Sequence, residues 1–302
     1  MMPSQITLPS PAKINHFLHI NGQREDGYHL LQTLFQFLEY GDDLHFKTRD
    51  DQQIVLDPPT PLNIPLETNL VYRAAHALQK AANVQKGITI SLEKRLPIGG
   101  GLGGGSSNAA TTLIALNALW GINWPLERLK TVGLPLGADV NVFLEGRGSF
   151  GEGIGEQLTP IDIPEEWIVV LIPDCQVISA KMYSVPDLTR NTPTFRIGTL
   201  IEGEINQILS TLKNDFEPVV RRHYPEVDEA MKWLSNFGRA QLSGSGASVF
   251  VTVASFEKAN TILRQLPPHM RGFISKGTNR SPLFEAAEKL GFKFNDWGVA
   301  KR

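Results

Sequence analysis

Apolar residues along the first hundred positions come in short alternating or continuous runs, at 6–8, 13–20, 34–37, 44–47 and 54–56, separated by Gly, Asp and Pro clusters. That is the pattern of strands bounded by turns. One helix interrupts them. Thr68 is placed to cap a segment in which Leu70, Ala74, Leu78 and Ala81 recur at helical spacing, and the pattern fades at Asn83 before a strand at 88–92. A dense glycine tract then opens an apolar helix pattern that runs through Leu119, followed by a shorter helix at 125–132 and another starting near Ala138. The glycine-rich alternation at 148–160 predicts a hairpin. Beyond it the spacing predicts a strand at 167–172, helices at 197–212 and 227–237, a strand at 247–253, a helix at 256–266 and a strand at 272–276. Strands and helices mix in both halves without a repeated strand–helix–strand period, which predicts an α+β fold rather than a doubly wound sheet.

A chain of 302 residues exceeds the size at which one core stops growing, about 250–300 residues, so two domains are expected, 1–155 and 156–302. With 41% hydrophobic and 20% charged residues the chain is of the globular class. A formal charge of −2 offers no overall positive field for nucleic acid or an anionic bilayer and favours a small-molecule substrate. The single cysteine, Cys175, cannot form an internal disulfide, and no apolar run approaches the ~20 residues of a membrane span. The first ten residues lack the basic start and apolar run of an export signal, so a cytoplasmic protein is expected.

The residues that carry chemistry begin at Leu96-Pro97-Ile98-Gly99-Gly100-Gly101-Leu102-Gly103-Gly104-Gly105-Ser106-Ser107-Asn108. Without side chains, backbone N–H groups can turn inward and approach a phosphate chain, and the start of the following helix adds unpaired N–H groups and a positive dipole end. Ser106 and Ser107 place hydroxyls at that end. A flexible linker is the plain alternative, but linkers do not usually stand between an apolar strand and an Ala-rich helix. No Gly-Lys dipeptide occurs, which excludes the Walker A loop. Gly99, Gly101 and Gly104 satisfy the dinucleotide fingerprint, yet the acidic residue required ~20 positions on is met only by Glu127, inside an apparent helix. The protein-kinase tripeptides H-R-D and D-F-G are missing as well.

This loop resembles the phosphate loop of the GHMP kinases, a Pro-x-x-x-Gly-Leu-Gly-Ser-Ser-like segment opening a helix. Four further segments extend the likeness across about residues 9–282: Pro11-Ala12-Lys13-Ile14-Asn15, Asp26-Gly27-Tyr28-His29, Leu136-Gly137-Ala138-Asp139 with Glu152-Gly153-Ile154-Gly155-Glu156, and Leu242-Ser243-Gly244-Ser245-Gly246. The first three are similar to the branch of the family acting on a cytidine diphosphate-linked methylerythritol. The resemblance implies a two-domain α+β fold with a cleft between an N-terminal ATP-binding domain and a C-terminal domain that helps build the substrate site. It also implies transfer of phosphate from ATP, with Mg²⁺, to the 2-hydroxyl of that substrate, in a monomer or homodimer. Another GHMP kinase, acting on mevalonate, homoserine or a sugar, and a non-catalytic nucleotide-binding protein are the rival readings. The segment at 26–29 disfavours the first, and retention of Lys13 and Asp139 disfavours the second.

By position alone Asp139 is equally a helix N-cap or a catalytic base; the resemblance implies the base. Lys13 lies among apolar strand residues, where an ammonium needs a partner, and its implied partner is Asp139, the plain reading being a surface lysine whose stem covers the strand. The resemblance further implies that Asn69 and Leu70 contact adenine, that Lys94 is a phosphate-side cation, and that Pro97, residues 99–105, Ser106, Ser107 and Asn108 surround the phosphates. Many family members carry Asp where Asn108 stands. Asn15, Tyr28 and His29 are implied to hold the cytidine diphosphate arm, with Ser179 and a stacking Tyr183 from the second half. Gly244, Ser245 and Gly246 read equally as a loop near the acceptor or a strand-connecting turn. No carboxylate cluster identifies metal ligands, and the remaining histidines lack companions at metal-ligand spacing.

Overall fold

The computed structural model describes residues 3–57 and 65–294. Two strands dominate the first half: β1 (Gln5–Gln23) and β2 (His29–Arg49) run antiparallel along their whole length, with Gln5 opposite Lys47, Lys13 opposite Phe37 and Gln23 opposite His29. β2 also pairs with β4 (Gly87–Glu93), which carries the short parallel β3 (Ile54–Leu56) at its far edge. Helices α1 (Leu70–Ala81), α2 (Gly104–Leu119), α3 (Leu126–Gly133) and α4 (Ala138–Glu145) lie over this part of the sheet. Leu8, Phe37, Phe46, Leu78, Leu113, Leu116 and Phe143 are buried between the layers. Burial of one such Phe or Leu stabilises the fold by about 1.5–3 kcal/mol.

The hairpin β5 (Ser149–Glu152) and β6 (Gln157–Pro160) hangs on β2 and leads to β7 (Trp167–Ile172). The second half adds α5 (Ser179–Tyr183), α6 (Ile197–Glu202), α7 (Ile205–Thr211), α8 (Glu217–His223), α9 (Pro225–Leu234), β8 (Gln241–Leu242), β9 (Val249–Val253), α10 (Phe256–Arg264), β10 (Arg271–Thr278) and α11 (Pro282–Lys289). β10 pairs with β7 from Arg271 to Lys276 and, at Gly277 and Thr278, with Leu38 and Phe37 of β2, so among the described residues one ten-stranded sheet joins the two halves. A second core forms around Val169, Val220, Leu234, Val249 and Val251. α11 turns back: its Leu283, Phe284 and Ala287 are buried in the first core.

Several elements differ from the sequence pattern for identifiable reasons. The runs at 6–8 and 13–20 are one strand, because a register shift between Pro11 and Lys13 accommodates prolines that otherwise end a strand. The runs at 34–37 and 44–47 are also one strand. Asp42, the polar break between them, is fully buried and accepts from Arg95 N, Leu96 N and Lys94 Nζ, so its charge is satisfied inside the sheet layer. Helix α1 is capped by Asn69 rather than Thr68, with Asn69 Oδ1 accepting from Val71 N at 2.9 Å. The single helix expected at 197–212 is two, broken at Gly203. The final stretch, 295–302, lies outside the described residues.

Candidate active site

A cleft of about 510 Å³ opens where the glycine loop, β1, the start of α4 and the loop after β8 converge. The alternation of β1 aims Lys13 and Asn15 into it while Ile14 packs into the core on the other side. Lys13 is buried, at 3% exposure, and its ammonium has three oxygen partners: Asn15 Oδ1 at 2.7 Å, Gly101 O at 3.2 Å and Asp139 Oδ2 at 3.3 Å. Asp139 stands in the first turn of α4, whose N-cap is Gly137 with no side-chain cap bond, so the carboxylate is not spent on capping. Its side chain keeps 36% exposure, open to the cleft. A buried ammonium 3.3 Å from an accessible carboxylate places a fixed positive charge beside the acid at the edge of the cleft.

The glycine loop owes its shape to three left-handed residues, Gly99 (φ 66°), Gly101 (φ 75°) and Gly103 (φ 71°), a region costly for any residue with a Cβ. Gly103 ends as the N-cap of α2, and the amides of Gly104, Gly105 and Ser106 open the helix with no preceding turn to bond. Pro97, Gly99, Gly100, Gly101, Gly103, Gly104, Gly105, Ser106 and Asn108 face the cleft. Leu102 and Ser107 do not: Leu102 is a core residue, and the Ser107 hydroxyl is fully buried, accepting from Ser10 Oγ at 2.8 Å. Ser10 also donates to Asn108 Oδ1 at 2.6 Å, fixing the helix start from below. Asn69 and Leu70 border the cleft at the start of α1, and Lys94 borders it too. Lys94 is tied at 2.7 Å to the buried Asp42, and burial pushes its pKa down against that partner.

From the second half comes the loop at 243–248. Ser248 N donates to Gly100 O at 3.0 Å and Ser243 Oγ donates to Gly101 O at 2.9 Å, so the two glycine-rich loops are joined. Asn214 clasps the second loop, its amide donating to Leu242 O and Gly244 O at 2.9 and 2.8 Å while its oxygen accepts from Phe216 N. Gly244, Ser245 and Gly246 line the cleft, and Ser245 Oγ lies 2.6 Å from Ser179 Oγ. Tyr183 lines it as well and stacks on His29, ring centroids 4.6 Å apart. Its phenol pKa is raised, first by burial and then by the charge of Asp139. His29 stacks on Tyr183 just beyond the residues that line the cleft, and burial, aided by Arg190, lowers its pKa. Tyr28 stands 58% exposed in the turn before β2.

Among the described residues no group of three or more His, Cys, Asp or Glu is placed to hold a metal. A magnesium ion arriving with a nucleotide takes most of its ligands from phosphate and water, and the Asp139 carboxylate and the Ser106 hydroxyl, both on the cleft, are oxygen donors of the kind that fits it. Sequence reasoning missed Ser10, Asp42, Asn214, Ser243 and Arg190, none of which is among the residues lining the cleft. Two of these carried a visible signal: Asp42, a carboxylate between two apolar runs of one strand, and Ser243, inside the glycine-rich segment at 242–246.

The GHMP kinases N terminal domain matches residues 69–147 and the GHMP kinases C terminal domain matches residues 199–271. A 4-diphosphocytidyl-2-C-methyl-D-erythritol kinase from Marinobacter nauticus is 50% identical over 291 residues, 96% of this chain and 100% of that protein. One from Pseudomonas paraeruginosa is 48% identical over 289 residues, with the same shares of each. The chain belongs to the 4-diphosphocytidyl-2-C-methyl-D-erythritol kinase family of GHMP kinases. The crystal structure of a 4-(cytidine 5'-diphospho)-2C-methyl-D-erythritol kinase superposes with a TM-score of 0.76 at 32% identity, covering 90% of this chain and 99% of that one. As a GHMP kinase the protein is an ATP-dependent phosphotransferase with the α+β architecture of that family. Among the described residues no helix is long and apolar enough to cross a membrane.

Proposed function

We propose that this kinase transfers the γ-phosphoryl group of ATP to the 2-hydroxyl of 4-diphosphocytidyl-2-C-methyl-D-erythritol, releasing ADP, and does so in the cytoplasm. The observation that carries the reading is the Lys13–Asp139 contact at 3.3 Å inside the cleft that the glycine loop also lines. ATP lies with its adenine near Asn69 and Leu70 and its phosphates against the amides of residues 99–106, with Lys94 on the phosphate side. Asp139 and Ser106 are the oxygen donors that would hold a Mg²⁺ ion brought with ATP, which would supply charge neutralisation at the transferring group. Asp139 accepts the proton of the acceptor hydroxyl, the freed oxygen attacks the γ-phosphorus, and the bond to the β–γ bridging oxygen breaks. Lys13, 3.3 Å from Asp139, orients that carboxylate and offsets charge on the transferring phosphoryl group. The cytidine diphosphate arm extends past Asn15 toward His29 and Tyr183, with Tyr28 at its outer edge and Ser179 and Ser245 along its flank.

The decisive measurement is coupled ADP release against a panel of acceptors: the cytidylyl substrate, free methylerythritol, mevalonate, homoserine and a hexose. Turnover confined to the cytidylyl substrate is expected. Equal or faster turnover of mevalonate or homoserine would overturn the assignment.

A further inference from the structure

His29 opens β2 and lies face to face with Tyr183, which in turn packs edge-on against Phe216 with centroids 4.9 Å apart. The guanidinium of Arg190 donates from all three of its nitrogens. Nε reaches His29 Nε2 at 3.3 Å, one terminal nitrogen bonds Leu188 O at 3.0 Å and Pro186 O at 3.5 Å, and the other bonds Tyr183 O at 2.7 Å and Val185 O at 2.8 Å. The carbonyls belong to the end of α5 and the turn after it, so the group that closes this turn also holds the imidazole.

A guanidinium has donors and no acceptor, and it stays protonated in proteins. It can bond an imidazole nitrogen only if that nitrogen offers a lone pair. His29 Nε2 is therefore the unprotonated nitrogen and the proton resides on Nδ1. Burial and the neighbouring cation both disfavour a second proton, so the ring is neutral at neutral pH with one N–H and no acceptor left over.

We infer that Arg190 is a positioning residue that locks His29 in the Nδ1–H tautomer and thereby makes the site select cytosine over uracil; the selectivity rests on the reading of His29 as the base-facing residue. The two pyrimidines differ at N3, where cytosine has a lone pair and uracil an N–H. A ring able only to donate satisfies the first and opposes the second, and a site that pairs a buried polar group rejects the analogue that leaves it unpaired. Had the tautomer been free, His29 could turn either face to either base.

The test uses the full chain with ¹⁵N-labelled histidine, in the wild type, Arg190→Met and Arg190→Lys, with His29→Gln to assign the imidazole signals. In the wild type Nδ1 is expected protonated and Nε2 bare. Arg190→Met should distribute the proton over both nitrogens, while Arg190→Lys, which keeps a cationic donor, should retain Nδ1–H. In steady state Arg190→Met should raise KM for the cytidylyl acceptor about ten-fold, leave KM for ATP unchanged and narrow the preference over the uridylyl analogue, with Arg190→Lys keeping that preference. An unshifted tautomer in Arg190→Met overturns the proposal, as do Met and Lys variants that behave alike, since that is the mark of a brace for the turn alone. Should Arg190→Met not fold, Arg190→Lys still decides: loss of Nδ1–H or of the base preference in it refutes the role. If His29→Gln leaves KM for the cytidylyl acceptor untouched, the base-facing reading fails separately and the selectivity falls with it, whatever the tautomer.

Discussion

Replacing Gly101 with alanine tests whether the two glycine loops act as one unit. Gly101 sits at φ 75°, and a Cβ built on it would lie 2.1 Å from Ser243 O and 3.0 Å from Gly246 O. The left-handed backbone alone costs an alanine about 1–2 kcal/mol. The collision is worse, since the obstacle is backbone of the facing loop and relief needs the loops to part by about an ångström, well over the tolerance of a reacting geometry. The same carbonyl of Gly101 accepts from Lys13 Nζ and Ser243 Oγ, so the shift is passed to the ammonium beside Asp139. Gly101→Ala should therefore lower kcat about 10²-fold and reduce stability. Gly121→Ala is the control: its φ is 71° but nothing lies within 4 Å of its Cβ, so it bears the backbone strain without the clash. It should lose stability in urea unfolding and keep full kcat. If Gly101→Ala matched Gly121→Ala in both measurements, the coupling of the loops would be wrong.

Asp139→Asn and Lys13→Ala should each abolish turnover while ATP affinity, read by fluorescence titration, changes little; near-normal kcat in either would remove the proposed roles. Burial pushes His16 down to about 4, with Arg239 also lowering it and the Gln36 bond opposing. The unfolded chain then takes up a proton that the folded one refuses as pH falls from the ordinary histidine range, so stability drops on acidification by about 2.5 kcal/mol between about pH 7.5 and about pH 4.5. Urea unfolding of wild type and His16→Leu over that range should converge by this amount, and parallel curves would contradict it. Asn214→Ala should cost about 1–3 kcal/mol, because it strands buried partners at Leu242, Gly244 and Phe216. It should also raise KM for the acceptor more than KM for ATP.

What the sequence disclosed followed from how local each signal was. The glycine tract and the helix after it need only neighbouring residues to be understood, α4 and β7 begin where the pattern placed them, and α2 begins two residues early, inside the glycine tract. Lys13 and Asp139 were named from separate motifs, and the fold brings their side chains to 3.3 Å. The long strands were hidden because Pro9, Pro11 and Asp42 look like punctuation until their partners are known; a bulge absorbs the prolines, and Lys94 with two amides absorbs the acid. Arg190 and Asn214 were invisible for the same reason. Their partners are mostly backbone carbonyls in loops, and a carbonyl has no sequence signature.

The return of α11 has a bearing on how the molecule can be divided. Phe284 fits so closely against Gly146 that a single methyl there would come within 2.3 Å of its ring, and Leu283 and Ala287 complete the same interior. Residues from early and late in the described chain therefore share one core, and the second core is built mostly from residues between them. No single scission separates the halves: a fragment ending before β7 would lack a wall of its own interior, and the remainder would carry a greasy helix with nothing to cover it.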